Sequence, residues 1–76
     1  MTFSRITIDP AICHGKPVVQ GTRVLVSNVL ASLAAGESFP EIRGHYPNLT
    51  DDDIRSALEF GSQLAQFDTL PSAALG

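Results

Sequence analysis

The chain has 76 residues, a single cysteine and a net charge of −3, with eight acidic side chains against five basic ones. This length holds one domain with a modest core, and one cysteine excludes an intramolecular disulfide framework. The acidic balance excludes a general electrostatic attraction to nucleic acid. Residues 1–35 nevertheless carry three basic side chains against one acidic, so a nucleic-acid contact, if made, is expected in that half.

The beginning of the chain lacks the apolar stretch of a signal peptide, and no apolar run approaches the roughly 20 residues that span a bilayer. We therefore expect a cytoplasmic protein without a membrane partner. A fold this small without disulfides or a metal often gains stability by association. The size therefore favours a homodimer or a tightly bound protein partner.

The first predicted element is a strand over residues 3–8, because polar and apolar side chains alternate there with a period of two. Ser4, Ile6 and Ile8 fall on one face of this strand. Asp9–Pro10 ends it, since proline cannot donate to a strand ladder.

The segment Gly15–Val24 reads GKPVVQGTRV and predicts a rigid turn. Two glycines and a proline flank a short β-branched run, so we expect short strands at Val18–Val19 and Val24–Val26 around a turn at Gln20–Thr22. Arg23 follows directly and is held at a defined place. It is either a structural arginine bonded to turn carbonyls or to Asp9, or an interface residue.

Three helices follow in the sequence. Ser27 or Asn28 is the expected N-cap of the first helix, which runs to about Ala35 and stops at Gly36. Its predicted apolar face comprises Val29, Leu30, Leu33 and Ala34. The second helix begins at a capping box formed by Ser38 and Glu41 and ends before Tyr46–Pro47; its inward residues are Phe39 and Ile42.

Thr50 caps the third and longest predicted helix, with Asp51–Asp53 in the first turn, where carboxylates favour the helix dipole. The apolar residues that recur at the helical period are Ile54, Ala57, Leu58, Gly61, Leu64 and Ala65. Phe60 and Phe67 widen this stripe beyond the needs of one surface helix. Either the helix is buried on two sides, or part of it contacts another chain.

No catalytic, cofactor or metal-binding constellation is expected, so the chain is predicted not to be an enzyme. Gly15–Pro17 lacks the earlier glycine and following hydroxyl residue of a phosphate-binding loop. Cys13–His14 is adjacent in sequence and has no third orienting group, which favours a small buried cysteine beside a turn histidine. Three consecutive aspartates on a helix do not converge on one metal ion.

The second and third helices have the proportions of a helix-turn-helix, whose third helix would enter the DNA major groove by its N-terminal residues. Here those residues are Asp51–Asp53, which would face phosphates. The nearby groups that could offset them are Arg43, His45, Asn48 and Arg55. A tri-helical module used for protein contacts is an equally weighted alternative.

The sequence resembles the small bacterial family known as domain of unknown function 433 over about residues 3–66. The segments that carry the resemblance are Ile8–Pro10, Gly15–Val24, Val29–Gly36, Glu41–Ile42, Tyr46–Thr50 and Ile54–Leu58. The spacing Gly-x-Pro-x-x-x-Gly-Thr-Arg is the most specific part of the match. It is formed by Gly15, Pro17, Gly21, Thr22 and Arg23.

The resemblance implies a mainly α fold, a homeodomain-like helix-turn-helix tri-helical domain with a small N-terminal β element that often supports a dimer. It also implies a VapB-like antitoxin of a type II toxin–antitoxin pair, which neutralises a PIN-like nuclease toxin and represses its own operon. The acidic start of the third helix departs from the basic surface that DNA recognition requires. A stand-alone DNA-binding regulator and a dimerisation module without nucleic acid are the alternatives.

On this hypothesis, residues 1–67 form a single domain, with a β element at 1–26 and three helices at 27–67. Residues 68–76 are expected to be a flexible tail. The candidates for protein contacts are Phe60, Leu64 and Phe67 together with this tail. The candidates for DNA phosphate contacts are Lys16, Arg23, Arg43 and Arg55.

Overall fold

The computed structural model of the chain describes residues 5–66, so the predictions for Ser4, Phe67 and residues 68–76 lie outside the described part. The described elements are, in chain order, β1 (Ile6–Thr7), β2 (Val18–Val19), α1 (Val26–Ala34), α2 (Phe39–His45) and α3 (Asp51–Ala65). The two strands form an antiparallel sheet. The predicted mainly α class, with three helices and a small N-terminal β element, is confirmed.

Strand β1 is shorter than the alternation of polar and apolar residues predicted. Its two residues pair with β2 in the register Ile6 opposite Val19 and Thr7 opposite Val18. Ile6 is buried as expected, but Ile8 is 47% exposed. The strand ends at Thr7, so the chain no longer follows the sheet and the period of two does not carry Ile8 to the inner face.

The predicted turn at Gln20–Thr22 is present. Gly21 has a φ of +78°, a left-handed conformation that favours glycine. The Thr22 hydroxyl donates to the Val19 carbonyl at 2.8 Å and accepts from the Val24 amide at 3.0 Å. The Val19 amide donates to the Val24 carbonyl at 2.9 Å. These bonds bring the chain back on itself and fix the position of Arg23.

The strand predicted at Val24–Val26 is wrong, and so is the side-chain cap predicted at Ser27 or Asn28. Only Leu25 makes an isolated bridge, opposite Val18, and the helix already begins at Val26 with Leu25 as its N-cap. The Val26 amide donates to the Pro17 carbonyl at 3.0 Å. A backbone acceptor from the preceding segment therefore satisfies a helix-start amide that a capping side chain would otherwise serve.

Helix α1 ends at Ala34 with Ala35 as its C-cap, and the predicted stop follows at Gly36, which has a φ of +89°. The Gly36 amide donates to the Leu33 carbonyl and the Glu37 amide to the Ser32 carbonyl, the paired bonds of a Schellman motif. The placement of Ala34 on the apolar face is wrong, because Ala34 is exposed. The helix turns Val26 and Val29 to the core and leaves Ala34 at the surface.

Helices α2 and α3 both start at a full capping box. Ser38 caps α2 with Glu41, as predicted, and the Ser38 amide donates to the Glu41 carboxylate at 2.9 Å. Thr50 caps α3, also as predicted, and Asp53 completes that box by accepting from the Thr50 amide at 2.9 Å. These local contacts define where both helices begin, independently of the packing around them.

One core joins the sheet to the three helices. Its buried members are Ile6, Val19, Val26, Val29, Ile42, Leu49, Ile54, Ala57 and Phe60. The apolar stripe predicted for α3 is only partly correct, because Leu58 and Leu64 are 41% and 40% exposed, whereas Phe60 is 4% exposed. The covered face of α3 therefore centres on Ile54, Ala57 and Phe60.

Candidate functional site

The N-terminal turn of α3 is the most charged part of the described structure, and its charges are balanced within the chain. Each of its three aspartates lies beside an arginine, and the arginines come from three different elements or segments. The pairs are Arg5–Asp53 at 3.4 Å, Arg43–Asp51 at 2.8 Å and Arg55–Asp52 at 3.0 Å. The cluster neutralises itself, so the end of α3 that a helix-turn-helix would insert into DNA has no surplus positive charge.

Two predicted phosphate-binding arginines are thus held by carboxylates of the same chain. Arg43 reaches from α2 to Asp51 on α3. Arg55 lies 3.0 Å from Asp52 and its guanidinium carbon is 5.8 Å from the centre of the Phe39 ring, a cation–π distance. A phosphate would have to compete with these carboxylates for the charge of either arginine.

Lys16 and Arg23, the other two predicted phosphate-binding residues, lie away from this cluster on the segments that flank β2. Both are exposed. Within residues 5–66, neither side chain makes an ion pair or a hydrogen bond to another group. Asp9, the carboxylate proposed for Arg23, instead accepts from the Ala11 amide at 2.9 Å. The structural-arginine interpretation therefore gains no support from the described residues.

The turn at Cys13–Gly15 is the one unusual backbone segment in the described range. Cys13, His14 and Gly15 have φ values of +50°, +58° and +81°. A left-handed conformation costs a residue with a side chain about 1–2 kcal/mol. Cys13 is a free cysteine and half-buried rather than buried. Between residues 5 and 66, no three His, Cys, Asp or Glu side chains lie together as a possible metal site.

One open cavity lies over the turn that precedes α1. Its volume is about 350 Å³. The residues that line it are Thr7, Ile12, Val18, Gly21, Thr22 and Arg23. These described lining residues include no carboxylate and no nucleophile–base pair, and Arg23 is the one charged residue among them. Such a pocket can offer one cation and a few hydroxyl groups but no catalytic constellation.

The second cavity lies where the Lys16–Pro17 segment, α1 and the C-terminal half of α3 meet, and it is called here the apolar groove. Its volume is about 410 Å³. Its apolar lining consists of Pro17, Val26, Leu30, Phe60 and Leu64, and its polar lining of Lys16 and Ser27. It is a mostly apolar concave surface with one cation among its described lining residues, a lining found in binding sites.

Gly61 allows α1 and α3 to approach each other beside this groove. A Cβ atom at position 61 would lie 3.2 Å from the Leu30 Cδ1 atom. That separation is shorter than ordinary van der Waals contact, so even alanine would require the Leu30 side chain to shift. The glycine that the sequence places in the apolar stripe therefore helps to set the shape of the groove wall.

The structure thus separates the predicted site residues into three places. Arg43 and Arg55 belong to the charged cluster at the start of α3, Arg23 to the first cavity, and Lys16 to the apolar groove. Phe60 and Leu64 also line the groove, with Phe60 buried in the core as well. Phe67 lies outside the described residues.

Sequence reasoning missed Arg5 and Leu30 as site residues. The strand period did indicate that Arg5 lies on the outer face, because Arg5 precedes the buried Ile6. Its partners, Asp52 and Asp53, follow more than forty positions later, and no sequence period connects them. Leu30 was expected in the core of α1 and is only partly buried, because it forms the groove wall.

One titratable group outside these sites is shifted by its hydrogen bonds. The Ser38 backbone amide and then the Ser38 hydroxyl, which both bond within the α2 capping box, lower the pKa of Glu41 below its ordinary value of 4.5, and His45 lowers it further. Hydrogen bonds to the ionised form stabilise the carboxylate. The α2 cap is therefore strongest when Glu41 is charged.

Comparison with known proteins gives the chain a family context. The sequence model of the family described as "Protein of unknown function (DUF433)" matches residues 6–61. A crystal structure of a DUF433 member protein from Anabaena variabilis superposes with a TM-score of 0.72 at 30% identity, covering 78% of this chain and 58% of that one. The fold of most of this chain is thus shared with a solved structure.

Two curated proteins are also similar. "Uncharacterized protein y4eO" from Sinorhizobium fredii is 46% identical over 52 residues, which is 68% of this chain and 24% of that protein. "Putative antitoxin VapB45" from Mycobacterium tuberculosis is 36% identical over 56 residues, which is 74% of this chain and 23% of that protein. The match therefore spans about a quarter of the length of either relative. Between residues 5 and 66, no helix has both the length and the apolar character needed to cross a membrane.

Proposed function

We propose that this chain, which belongs to the DUF433 family, is an antitoxin that binds and neutralises a PIN-like nuclease toxin. The proposed role is a non-enzymatic one, in which the chain presents a preformed surface to another protein. The similarity to a relative named as an antitoxin supports this role. The nuclease class is the one implied by the resemblance of the sequence to VapB-like antitoxins.

The structural observation that carries the proposal is the apolar groove. Its lining is mostly apolar, and one of its lining residues, Leu64, is 40% exposed. Exposed apolar surface with polar residues around it marks binding sites, including those for other proteins. We propose that Leu64, with Phe67 beyond the described residues, contacts the toxin, and that Phe60, which lines the groove but is 4% exposed, supports this contact from within the core.

Repression of the operon by a homodimer is the second part of the proposal. The observation that favours it is the pair of exposed cations, Lys16 and Arg23, which have no carboxylate partner between residues 5 and 66. Phosphate binding requires cations that are not already neutralised. We therefore propose that these two residues make the phosphate contacts, with Arg43 and Arg55 serving mainly to hold α3.

The experiment that tests the antitoxin role is co-expression with the protein encoded by the neighbouring gene. We expect the two chains to co-purify, and the nuclease activity of the neighbour to fall when this chain is added in equal amount. The controls are the neighbouring gene's product purified alone and the same product mixed with an unrelated small helical protein. Absence of a complex at micromolar concentrations, with both proteins folded, would contradict the proposal.

The same purified proteins distinguish the antitoxin role from the two alternative functions. A promoter fragment bound in a salt-dependent manner, without any complex with the neighbour, would indicate a stand-alone DNA-binding regulator. Self-association by sedimentation, with neither toxin nor promoter binding, would indicate a dimerisation module. The three roles therefore give three different combinations of binding results.

A further inference from the structure

We infer that the apolar groove docks a protein segment that carries an apolar side chain next to a carboxylate, and that the toxin supplies this segment. The inference rests on the proposed antitoxin function and specifies its partner surface. It assigns to Leu64 and Leu30 the apolar contact and to Lys16 the charged one. Of these three, Leu30 was expected only as a core residue. Lys16, proposed above as a phosphate contact of the DNA-bound chain, is here assigned to the toxin-bound chain.

The charge of the groove favours an acidic occupant. Among residues 5–66, Lys16 is the only charged residue that lines it, and no acidic side chain of that range does so. The acidic cluster Asp51–Asp53 lies at the opposite end of α3, about 17–20 Å along the helix axis from Leu64 at 1.5 Å per residue. Those aspartates are already paired with arginines. We therefore expect the segment bound in the groove to supply a carboxylate to Lys16.

The shape of the groove disfavours a second copy of the chain as the occupant. In a two-fold dimer the same patch contacts itself, so groove would face groove. Two concave surfaces leave a void between them, and two Lys16 side chains would then repel each other across it. A convex apolar segment with an acidic residue satisfies both the space and the charge.

Leu64→Asp tests the apolar contact, and Leu58→Asp is a closely matched control. The two leucines lie on the same helix and are 40% and 41% exposed. Six residues separate them, which turns one side chain about 120° around the helix from the other. We expect Leu64→Asp to weaken the complex with the neighbouring gene product by about tenfold or more, because a carboxylate would be buried in an apolar contact. Leu58→Asp should change the affinity less than about twofold.

Lys16→Glu tests the charged contact, with Arg23→Glu as its control. Both substitutions replace an exposed cation by an anion and change the net charge equally. We expect Lys16→Glu to weaken toxin binding by about tenfold, because like charges would then face each other, and Arg23→Glu to change it by less than about threefold. An equal effect of both variants would mean that long-range attraction, rather than the groove, recognises the toxin.

The possible outcomes distinguish a failure of the groove inference from a failure of the antitoxin proposal. No complex with the wild-type chain would overturn both the antitoxin role and this inference. A wild-type complex weakened equally by Leu64→Asp and Leu58→Asp, or by neither, would overturn the groove alone. Thermal unfolding and sedimentation exclude the other occupants. If Leu64→Asp lowers the Tm by about 4 °C more than Leu58→Asp does, residues of the chain itself fill the groove. If Leu64→Asp alone abolishes self-association, a second copy fills it. Either result would overturn the inference.

Discussion

The Arg5 guanidinium donates to the Asp53 carboxylate at 3.4 Å and thereby connects the start of the sheet to the cap of α3, 48 residues later. The same carboxylate accepts from the Thr50 amide at 2.9 Å. Asp53 is the one acidic side chain classed as buried in the described part of the chain. It therefore closes a helix cap and pairs with a cation from a distant segment at the same time.

Asp53→Ala should destabilise the fold by about 1–2 kcal/mol, because it removes the cap partner of Thr50 and leaves Arg5 without its more buried carboxylate. Asp52→Ala is the control, since Asp52 is exposed and makes only surface ion pairs, with an expected cost within about 0.5 kcal/mol. Urea unfolding followed by circular dichroism measures both values. Equal costs would mean that the cap of α3 does not depend on Asp53.

Two glycine substitutions should have opposite effects although both positions have room for a Cβ atom. At Gly21 and at Gly44, an added Cβ meets nothing within 4 Å. Gly21 has a φ of +78°, so Gly21→Ala should destabilise the fold by about 1 kcal/mol through backbone strain alone. Gly44 lies in α2, and Gly44→Ala should stabilise it by about 0.5 kcal/mol, because alanine restricts the unfolded chain and favours helix.

Thermal unfolding of the two alanine variants beside the wild-type chain checks this pair. Opposite shifts of the Tm are expected, a decrease for Gly21→Ala and an increase for Gly44→Ala. Shifts of the same sign would show that the left-handed turn at Gly21 is not required in solution.

The capping box of α2 should make stability depend on pH below 4.5. The pKa of Glu41 is lower in the folded chain than its ordinary value of 4.5. The stabilisation that ionised Glu41 gives to the fold is therefore fully present above pH 4.5 and is lost as the pH falls through the folded pKa. Glu41→Gln keeps an acceptor for the Ser38 amide but cannot ionise, so it should be less stable than the wild-type chain at neutral pH.

The two proteins should converge in stability as the wild-type Glu41 becomes protonated. Tm values of both, measured from neutral pH to below the folded pKa, give the comparison. A difference that stays constant over this range would show that ionisation of Glu41 does not stabilise the cap.

If the chain binds its own promoter, the salt dependence of binding should identify the cations involved. Lys16→Ala and Arg23→Ala should each reduce the slope of log K against log salt by about 1, the value for one phosphate contact. Arg43→Ala and Arg55→Ala should leave the slope unchanged, since aspartates already neutralise these arginines. The reverse pattern would place the start of α3, and not the segments flanking β2, on the DNA.

The sequence alone determined the elements whose signals are local. The capping box of Ser38 and Glu41, the Thr50 cap and the Gly36 stop each depend on residues within four positions, so α2, α3 and the end of α1 were predicted correctly. The start of α1 was not, because its first amide bonds to the Pro17 carbonyl, an acceptor nine positions earlier that no capping motif marks.

Only the tertiary structure decided which surfaces are free for a partner. The helical period places Leu58, Phe60 and Leu64 near one broad stripe, but the packing of α1 against α3 buries Phe60 and leaves the two leucines exposed. Likewise, composition counts Arg5, Arg43 and Arg55 as available cations, and folding sets each beside an aspartate. Periodicity and charge are properties of single segments, whereas burial and ion pairing depend on how separate segments meet.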